Sequence, residues 1–291
     1  MITGFLNTAI SRAAESAVTV PLGLLNALTS RRGYRIQRSV AYGPLDRQNL
    51  DLYVPDAVAP SAPVVVFIHG GSWDSGSKDL YTFVGQSLVS AGWTVAIPNY
   101  RLYPEVVFPA FVDDAARAIA WAADRVAGKD RPLFVVGHSA GAQIAMLVSL
   151  DPRYLKRAGT DQSLLAGVVG LSGPYDFLPL REQRYKNIFP QDVRAESQPI
   201  DFVGAGRPPP LLLAHGNADT IVLPRNTTGL AAAVRARGGR ADVRLYEGIG
   251  HLGTVAALAR LIRLNGAPVR ADIVSFVADV LRTREAVPAA P

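Results

Sequence analysis

Residues 133–141 read Leu-Phe-Val-Val-Gly-His-Ser-Ala-Gly, an apolar run that passes directly into a Gly-x-Ser-x-Gly motif. An uninterrupted apolar run of this length is typical of a strand that is buried on both faces of a sheet. Residues 140–150 continue with a helical pattern. The stretch therefore predicts a strand, a sharp turn at Ser139 and a helix, with the Ser139 hydroxyl exposed above the sheet.

Comparable apolar runs lie on both sides of this stretch, and helical patterns separate them. Further buried strands are predicted at Val64–Ile68, Trp93–Ile97, Val168–Leu171, Leu211–Ala214 and Val243–Tyr246. Helices are predicted at Asp79–Ser90, Phe111–Val126, Arg225–Arg237, Leu252–Leu264 and Asp272–Thr283. Two antiparallel-looking strands precede this series, at Arg35–Tyr42 and Asn49–Val54. The alternation indicates an α/β fold with a mostly parallel central sheet flanked by helices.

The chain of 291 residues divides into three predicted parts. Residues 1–33 form an N-terminal helical segment packed on the domain, residues 34–284 form a single α/β domain, and residues 285–291 form a flexible tail. Residues 173–210 interrupt the alternation with a stretch rich in proline and aromatic residues. An insertion of this length in a compact domain usually has a function, so we expect it to act as a lid or a binding wall.

The composition excludes several classes of protein. Hydrophobic residues make up 49% and charged residues 19%, which excludes a disordered chain. The absence of cysteine excludes disulfides and thiolate metal sites. The net charge of +6 is spread along the chain without a recognisable nucleic-acid-binding module, so we expect no nucleic-acid partner. No apolar run is long enough for stable membrane insertion. We expect a cytoplasmic protein, with peripheral membrane association, secretion and a homodimer left open.

A serine hydroxyl becomes an effective nucleophile only when a base removes its proton. The chain has four histidines, and for this architecture the order along the chain is serine, acid, histidine. Only His251 lies far enough downstream of Ser139 to leave room for an acid. Asp219 follows the predicted strand Leu211–Ala214 and is the preferred acid, with Asp176 as the serious rival. Other rivals are Asp192, Asp201 and Glu247.

The same reaction needs hydrogen-bond donors for a developing oxyanion. One is expected from the backbone N–H of Ala140, and others from the loop His69-Gly70-Gly71-Ser72-Trp73, whose glycines allow close approach of the backbone. The candidate substrate contacts are Trp73, His138, Tyr175 and Phe177. For His138, the position inside the turn predicts a side chain directed away from Ser139 and into packing.

The motifs at residues 69–73, 137–141 and 215–219, together with His251, resemble those of α/β-hydrolases. More narrowly, they resemble carboxylesterases related to hormone-sensitive lipase, kynurenine formamidase and the isoprenylcysteine methylesterases. Residues 100–105, Phe108-Pro109 and Asp113-Asp114 are similar to a segment that those enzymes share, and the resemblance extends over about residues 34–283.

The resemblance implies Ser139 as nucleophile, Asp219 as acid and His251 as base. It also implies Gly70, Gly71 and Ala140 as oxyanion donors, together with the Ser72 amide. The lipase-like members usually carry a third glycine where this chain has Ser72, so the pattern is closer to the formamidase branch.

The expected function is that of a serine carboxylic-ester hydrolase that forms an acyl-enzyme on short-chain or aromatic small-molecule esters. It requires no cofactor and no metal. The motifs are also compatible with an arylformamidase, since Trp73 and the aromatic residues of 173–210 could stack on an aryl group. The same fold could instead carry an interfacial lipase or a catalytically inactive binding module.

Overall fold

The computed structural model describes residues 22–260 and 266–285. Its strands form one sheet in the order β1-β2-β4-β3-β5-β6-β7-β8. The strands are β1 (Tyr34–Ala41), β2 (Asn49–Pro55), β3 (Val64–Ile68), β4 (Thr94–Pro98), β5 (Leu133–His138), β6 (Leu165–Leu171), β7 (Leu211–Gly216) and β8 (Ala241–Tyr246). β1 and β2 pair antiparallel, β2 is antiparallel to β4, and the pairs from β3 to β8 are parallel. The predicted α/β fold with a mostly parallel sheet is confirmed.

Helices flank the sheet and connect its parallel strands. They are α1 (residues 22–27), α2 (Thr82–Val89), α3 (Ala110–Ala122), α4 (Ala140–Leu150), α5 (Pro152–Arg157), α6 (Gln183–Ile188), α7 (Arg225–Ala236), α8 (Gly253–Ala256) and α9 (Val269–Glu285). The predicted helix at Leu252–Leu264 is wrong for its described part, because the helix ends at Ala256 and a turn follows. Residues 261–264 of that prediction lie outside the described residues. The short helix α5 was not predicted.

The central strands are buried on both faces, as their apolar runs predict. Because side chains alternate along a strand, each strand contributes to two core layers. In β3, Val64 and Val66 belong to the layer that contains α3 and α4, whereas Val65 and Phe67 belong to the layer that contains α2 and α9. The sheet therefore lies between two apolar layers, which fixes the positions of its strand ends.

The segment 173–210 contains α6 and two short 3₁₀ turns, Arg194–Ser197 and Pro199–Phe202. Two of its aromatic residues, Tyr175 and Phe189, are fully buried in the core layer of α3 and α4. The segment is therefore anchored to the domain by its own side chains.

At the N-terminal end, α1 packs Leu22 and Leu25 into the other core layer. The remainder of the predicted helical segment, residues 1–21, lies outside the described residues, as do residues 286–291 of the predicted tail. Within residues 22–260 and 266–285, no helix has the length and apolar character required to cross a bilayer.

A buried ion pair connects the loop after β4 to helix α3. The Arg101 guanidinium donates to both carboxylate oxygens of Asp114 at 2.8 Å, and Gln48 donates to Asp114 Oδ1 at 2.7 Å. Asp114 is 1% exposed. The neighbouring Asp113 instead pairs with Arg157 at 2.6 Å on the surface. Removal of one partner from a buried pair leaves the other charge uncompensated, which is strongly destabilising.

We therefore predict that Asp114→Ala lowers the free energy of unfolding by about 3 kcal/mol, measured by urea denaturation. The matched control is Asp113→Ala, which removes an exposed pair and should cost less than about 1 kcal/mol. Equal losses for the two variants would contradict the structural role of the buried pair.

Candidate active site

Ser139 occupies the turn between β5 and α4, with a left-handed backbone conformation at φ 54°. Its backbone N–H donates to Leu171 O at 2.9 Å, which ties the turn to the end of β6. A Cβ atom on Gly141 would lie 2.1 Å from Ile68 O, so only glycine permits α4 to start this close to β3. The strained turn predicted from residues 137–141 is confirmed.

The structure brings together the three side chains predicted to act as nucleophile, base and acid. His251 Nε2 lies 2.8 Å from Ser139 Oγ, and His251 Nδ1 lies 2.8 Å from Asp219 Oδ2. Asp219 follows β7, and His251 lies in the loop after β8. A Cβ on Gly216 would lie 2.0 Å from Ile249 O, so that glycine permits the two loops to meet.

The hydrogen bonds of Asp219 keep it ionised. Burial alone would raise its pKa, but hydrogen bonds from His215, from His251 and from the Val222 backbone outweigh burial and hold the pKa of Asp219 well below its usual range. An ionised carboxylate only accepts hydrogen bonds, so His251 Nδ1 carries the proton that it donates to Asp219. Nε2 of a neutral His251 is then free to accept the proton of Ser139.

The loop His69–Trp73 lies against the turn at Ser139. A Cβ on Gly70 would lie 3.1 Å from Ser139 Cβ. His69 is fully buried, stacks on Tyr100 with ring centroids 4.4 Å apart, and donates from Nδ1 to Gly70 O at 2.8 Å. The structure thus places the predicted donors Gly70, Gly71 and Ser72 in one loop beside the nucleophile, with Ala140 at the start of α4.

A cavity of about 310 Å³ opens above Ser139. It is lined by Ser72, Trp73, Ser139, Pro174, Phe177, Pro179, Leu180, Arg181, Glu182, Tyr185, Ile221 and Val222. Most of this wall comes from the segment 173–210. Trp73 and Phe177 therefore lie where substrate contact was predicted. Tyr185 is one of the aromatic residues of the segment 173–210, but it was not among the predicted substrate contacts.

The structure corrects the prediction that His138 and Tyr175 contact substrate, because neither side chain lines the cavity, whereas the burial of His138 agrees with its predicted packing. Tyr175 is 0% exposed and packs its ring against Gly170 and Gly173. His138 is 2% exposed and donates from Nε2 to His251 O at 3.2 Å. We therefore assign Tyr175 to core packing and His138 to support of the His251 backbone.

Two connections join the segment 173–210 to the loop His69–Trp73 and to Asp74, the residue that follows it. Arg184 binds Asp74 with two hydrogen bonds. Trp73 Nε1 donates to Gln143 Oε1 at 3.0 Å, and Gln143 in turn donates to Ser197 O at 2.8 Å. The wall of the cavity and the predicted oxyanion loop are consequently parts of one hydrogen-bonded unit.

The sheet order, the strained turn at Ser139 and the chain order Ser139, Asp219, His251 define the class of protein as an α/β-hydrolase. The BD-FAE family model matches residues 50–234, which is more than half of the chain. The chain therefore belongs to the BD-FAE family. The predicted resemblance to α/β-hydrolases and to the isoprenylcysteine methylesterases is confirmed by this match and by the relatives below.

Among curated proteins, the chain is similar to a probable isoprenylcysteine alpha-carbonyl methylesterase, ICMEL1, of Oryza sativa subsp. japonica. The two are 31% identical over 242 residues, which cover 75% of this chain and 57% of the relative. Esterase LipC of Mycobacterium tuberculosis is 32% identical over 252 residues, covering 77% of this chain and 61% of LipC. The chain thus spans little more than half the length of these relatives.

Among solved structures, esterase B from Lactobacillus rhamnosis superposes with a TM-score of 0.80 at 17% identity. The match covers 96% of this chain and 97% of esterase B. At this identity the likeness concerns the fold.

Two of the buried histidines near the site predict a loss of stability in acid. Burial lowers the pKa of His69 to about 4 and that of His138 to about 3. Below pH of about 6.5 the unfolded chain gains protons at these positions whereas the folded chain does not, so the free energy of unfolding falls as pH decreases. At pH 5 we expect a loss of about 2 kcal/mol for each histidine relative to pH 7, measured by urea denaturation.

The control is His138→Gln, which keeps a donor for His251 O and removes the titrating group. This variant should lose about half of the pH dependence that His69 and His138 contribute together. An unchanged pH dependence in His138→Gln would show that His138 is protonated equally in both states.

Proposed function

We propose that this protein is a serine carboxylic-ester hydrolase that acts through an acyl-enzyme on Ser139. The observation that carries the proposal is the continuous hydrogen-bonded series from Ser139 Oγ to His251 and on to Asp219, with both distances at 2.8 Å, at the base of a cavity. The names of the curated relatives, which are esterases and methylesterases, support ester hydrolysis.

In the first half of the reaction, His251 Nε2 accepts the hydroxyl proton as Ser139 Oγ attacks the ester carbonyl. Asp219 stabilises the resulting imidazolium and keeps its ring oriented. Backbone N–H groups of Ala140 and of residues 70–72 donate to the oxyanion, which concentrates positive dipoles where negative charge develops. The C–O bond of the ester then breaks, and the imidazolium transfers its proton to the leaving alcohol.

In the second half, His251 removes a proton from a water molecule that attacks the acyl-enzyme. The Ser139–acyl bond breaks, Ser139 regains its proton from His251, and the carboxylic acid is released. Each step uses side chains, backbone N–H groups and water. The chemistry requires no cofactor.

Short-chain or aromatic acyl groups fit this site best. The cavity of about 310 Å³ is at the small end of the range for small-molecule sites. Trp73, Phe177 and Tyr185 present aromatic surface to it, and the rings of Trp73 and Phe177 lie 5.8 Å apart. Planar aromatic substrates can stack on such surfaces.

The direct test is hydrolysis of p-nitrophenyl butyrate by Ser139→Ala. We expect kcat to fall by about 10⁴-fold or more because the nucleophile is removed. The matched control is Ser163→Ala. Ser163 is exposed and precedes β6, so it lies at the opposite edge of the sheet from Ser139, and this variant should retain wild-type kcat. Full activity in Ser139→Ala would contradict the proposed nucleophile.

An arylformamidase is the second candidate, and the aromatic wall of Trp73, Phe177 and Tyr185 favours it. The same triad would cleave a formamide, with an aryl amine as the leaving group in place of an alcohol. The two functions differ in which leaving group the wall binds.

A substrate panel separates the two functions. For the esterase, we expect kcat/KM for p-nitrophenyl butyrate to exceed that for the octanoate by about tenfold, since a cavity of this size limits chain length. N-formylkynurenine should then be a poor substrate. A preference for N-formylkynurenine over every ester would instead establish the formamidase. No turnover, together with no labelling by a fluorophosphonate, would indicate an inactive binding module.

A further inference from the structure

A second histidine lies beside the carboxylate that orients the proposed catalytic base. His215 is the penultimate residue of β7, before Gly216, and is 0% exposed. Its Nε2 lies 3.1 Å from Asp219 Oδ2, the same oxygen that His251 Nδ1 contacts at 2.8 Å. The mechanism proposed above assigns no role to His215.

The surroundings of His215 fix its tautomer. Nε2 lies 2.8 Å from Val222 O and 3.1 Å from the ionised Asp219, and both of these groups only accept hydrogen bonds. Nε2 must therefore carry a proton. On the other side, Nδ1 lies 2.8 Å from the hydroxyl of Thr227 in α7.

The Thr227 hydroxyl donates to His215 Nδ1. Thr227 is 0% exposed, and among the described residues its hydroxyl has no other hydrogen-bond partner than Nδ1. If Nδ1 were protonated, the hydroxyl proton would be left buried without an acceptor, which is costly. His215 is accordingly a neutral imidazole that accepts from Thr227 and donates from Nε2.

Three hydrogen bonds hold the carboxylate of Asp219, and the His215 N–H lies beside it. Oδ1 accepts from the backbone N–H groups of Ile221 at 3.0 Å and Val222 at 2.9 Å. Oδ2 accepts from His251 Nδ1 at 2.8 Å, and His215 Nε2, whose N–H donates to Val222 O, lies 3.1 Å from the same oxygen. The three donors and the partial positive charge of the His215 N–H share the negative charge of Asp219, so that charge does not act on His251 alone.

We propose that His215 is a positioning residue that shares the charge of Asp219 with His251 and so sets the pH at which His251 becomes protonated in the resting enzyme. The inference rests on the proposed esterase function, because His251 must be neutral to accept the Ser139 proton. Because the His215 N–H lies beside Oδ2, its partial positive charge weakens the attraction of the carboxylate for a protonated His251. Removal of this N–H would strengthen that attraction.

The other ionisable groups around His251 do not offer the same control. His138 at the end of β5 faces the His251 ring with centroids 5.2 Å apart, but burial lowers the pKa of His138 to about 3, so it stays neutral. Glu247, in the loop that leads to His251, binds Asn217 at the surface. Among these groups, the His215 N–H is the one that lies beside the Asp219 oxygen bound by His251.

The test compares His215→Phe with His215→Gln in the full chain. Phenylalanine removes the N–H donor. The midpoint of the acid limb in the pH profile of kcat/KM should then rise by about 0.5–1 pH unit. On that limb, this shift corresponds to a three- to tenfold loss of activity. Glutamine can place an amide N–H near the Nε2 position, so His215→Gln should have a midpoint close to that of the wild type. A purely structural residue would lower the thermal unfolding midpoint and kcat without moving the midpoint of the profile.

A second pair of variants tests the inference even if His215→Phe does not fold. Thr227→Val removes the hydroxyl that donates to Nδ1 and so polarises the imidazole, and a smaller upward shift of the acid limb is expected because the Nε2–H becomes a weaker dipole. Thr227→Ser keeps the hydroxyl and should keep the wild-type midpoint. Coincident profiles for wild type, Thr227→Val and a folded His215→Phe would overturn the inference.

An NMR titration separates failure of this inference from failure of the proposed function. The chain has four histidines, so the His251 ring can be assigned in ¹⁵N-histidine-labelled protein by single substitutions. The midpoint of the His251 ring titration should shift upward in Thr227→Val and His215→Phe, whether or not any ester is hydrolysed. If wild type hydrolyses no ester, the proposed function fails. If the His251 midpoint is the same in all variants, the charge-sharing role of His215 fails.

Discussion

The steric constraint at the start of α4 determines where every other part of the site must lie. The helix begins so close to β3 that Gly141 meets the carbonyl of Ile68 with no room for a side chain. Ser139, two residues before this contact, has a left-handed backbone conformation and lies against the loop that follows β3. The nucleophile and its proposed oxyanion donors are therefore adjacent because two backbones touch.

Around that contact, the parallel sheet gathers the remaining groups at one edge. β7 lies beside β6 and β8 beside β7, and the loops that carry Asp219 and His251 meet above the same edge of the sheet as Ser139. Asp219 is almost wholly buried, and its charge is stabilised there by three hydrogen bonds and by the His215 N–H beside it. The scaffold supplies the reactive groups, whereas the segment 173–210 supplies most of the cavity wall.

The sequence predicted best the features that are encoded locally. β3 and α4 have the predicted bounds, since apolar runs and the motif at residues 137–141 are short-range signals. The meeting of Ser139, Asp219 and His251 followed from strand ends and chain order.

By contrast, whether an aromatic side chain such as that of Tyr175 points into the core or into the cavity depends on tertiary packing. A proline-rich segment has no periodicity that would reveal this direction. The run of small and apolar residues after His251 has helical spacing, but the observed helix stops at Ala256. His215 resembled any strand-end histidine before a glycine, because its contact with Asp219 arises only when the chain turns back after β7.

The proposed chemistry depends on Ser139 acting as the nucleophile of a triad with His251 and Asp219. This role is tested most directly by peptide mapping with mass spectrometry after treatment with a fluorophosphonate at neutral pH. We expect one phosphonyl group per chain, on the peptide that contains Ser139, and loss of labelling in His251→Ala. A label on another serine, or unchanged labelling of Ser139 in His251→Ala, would contradict the triad.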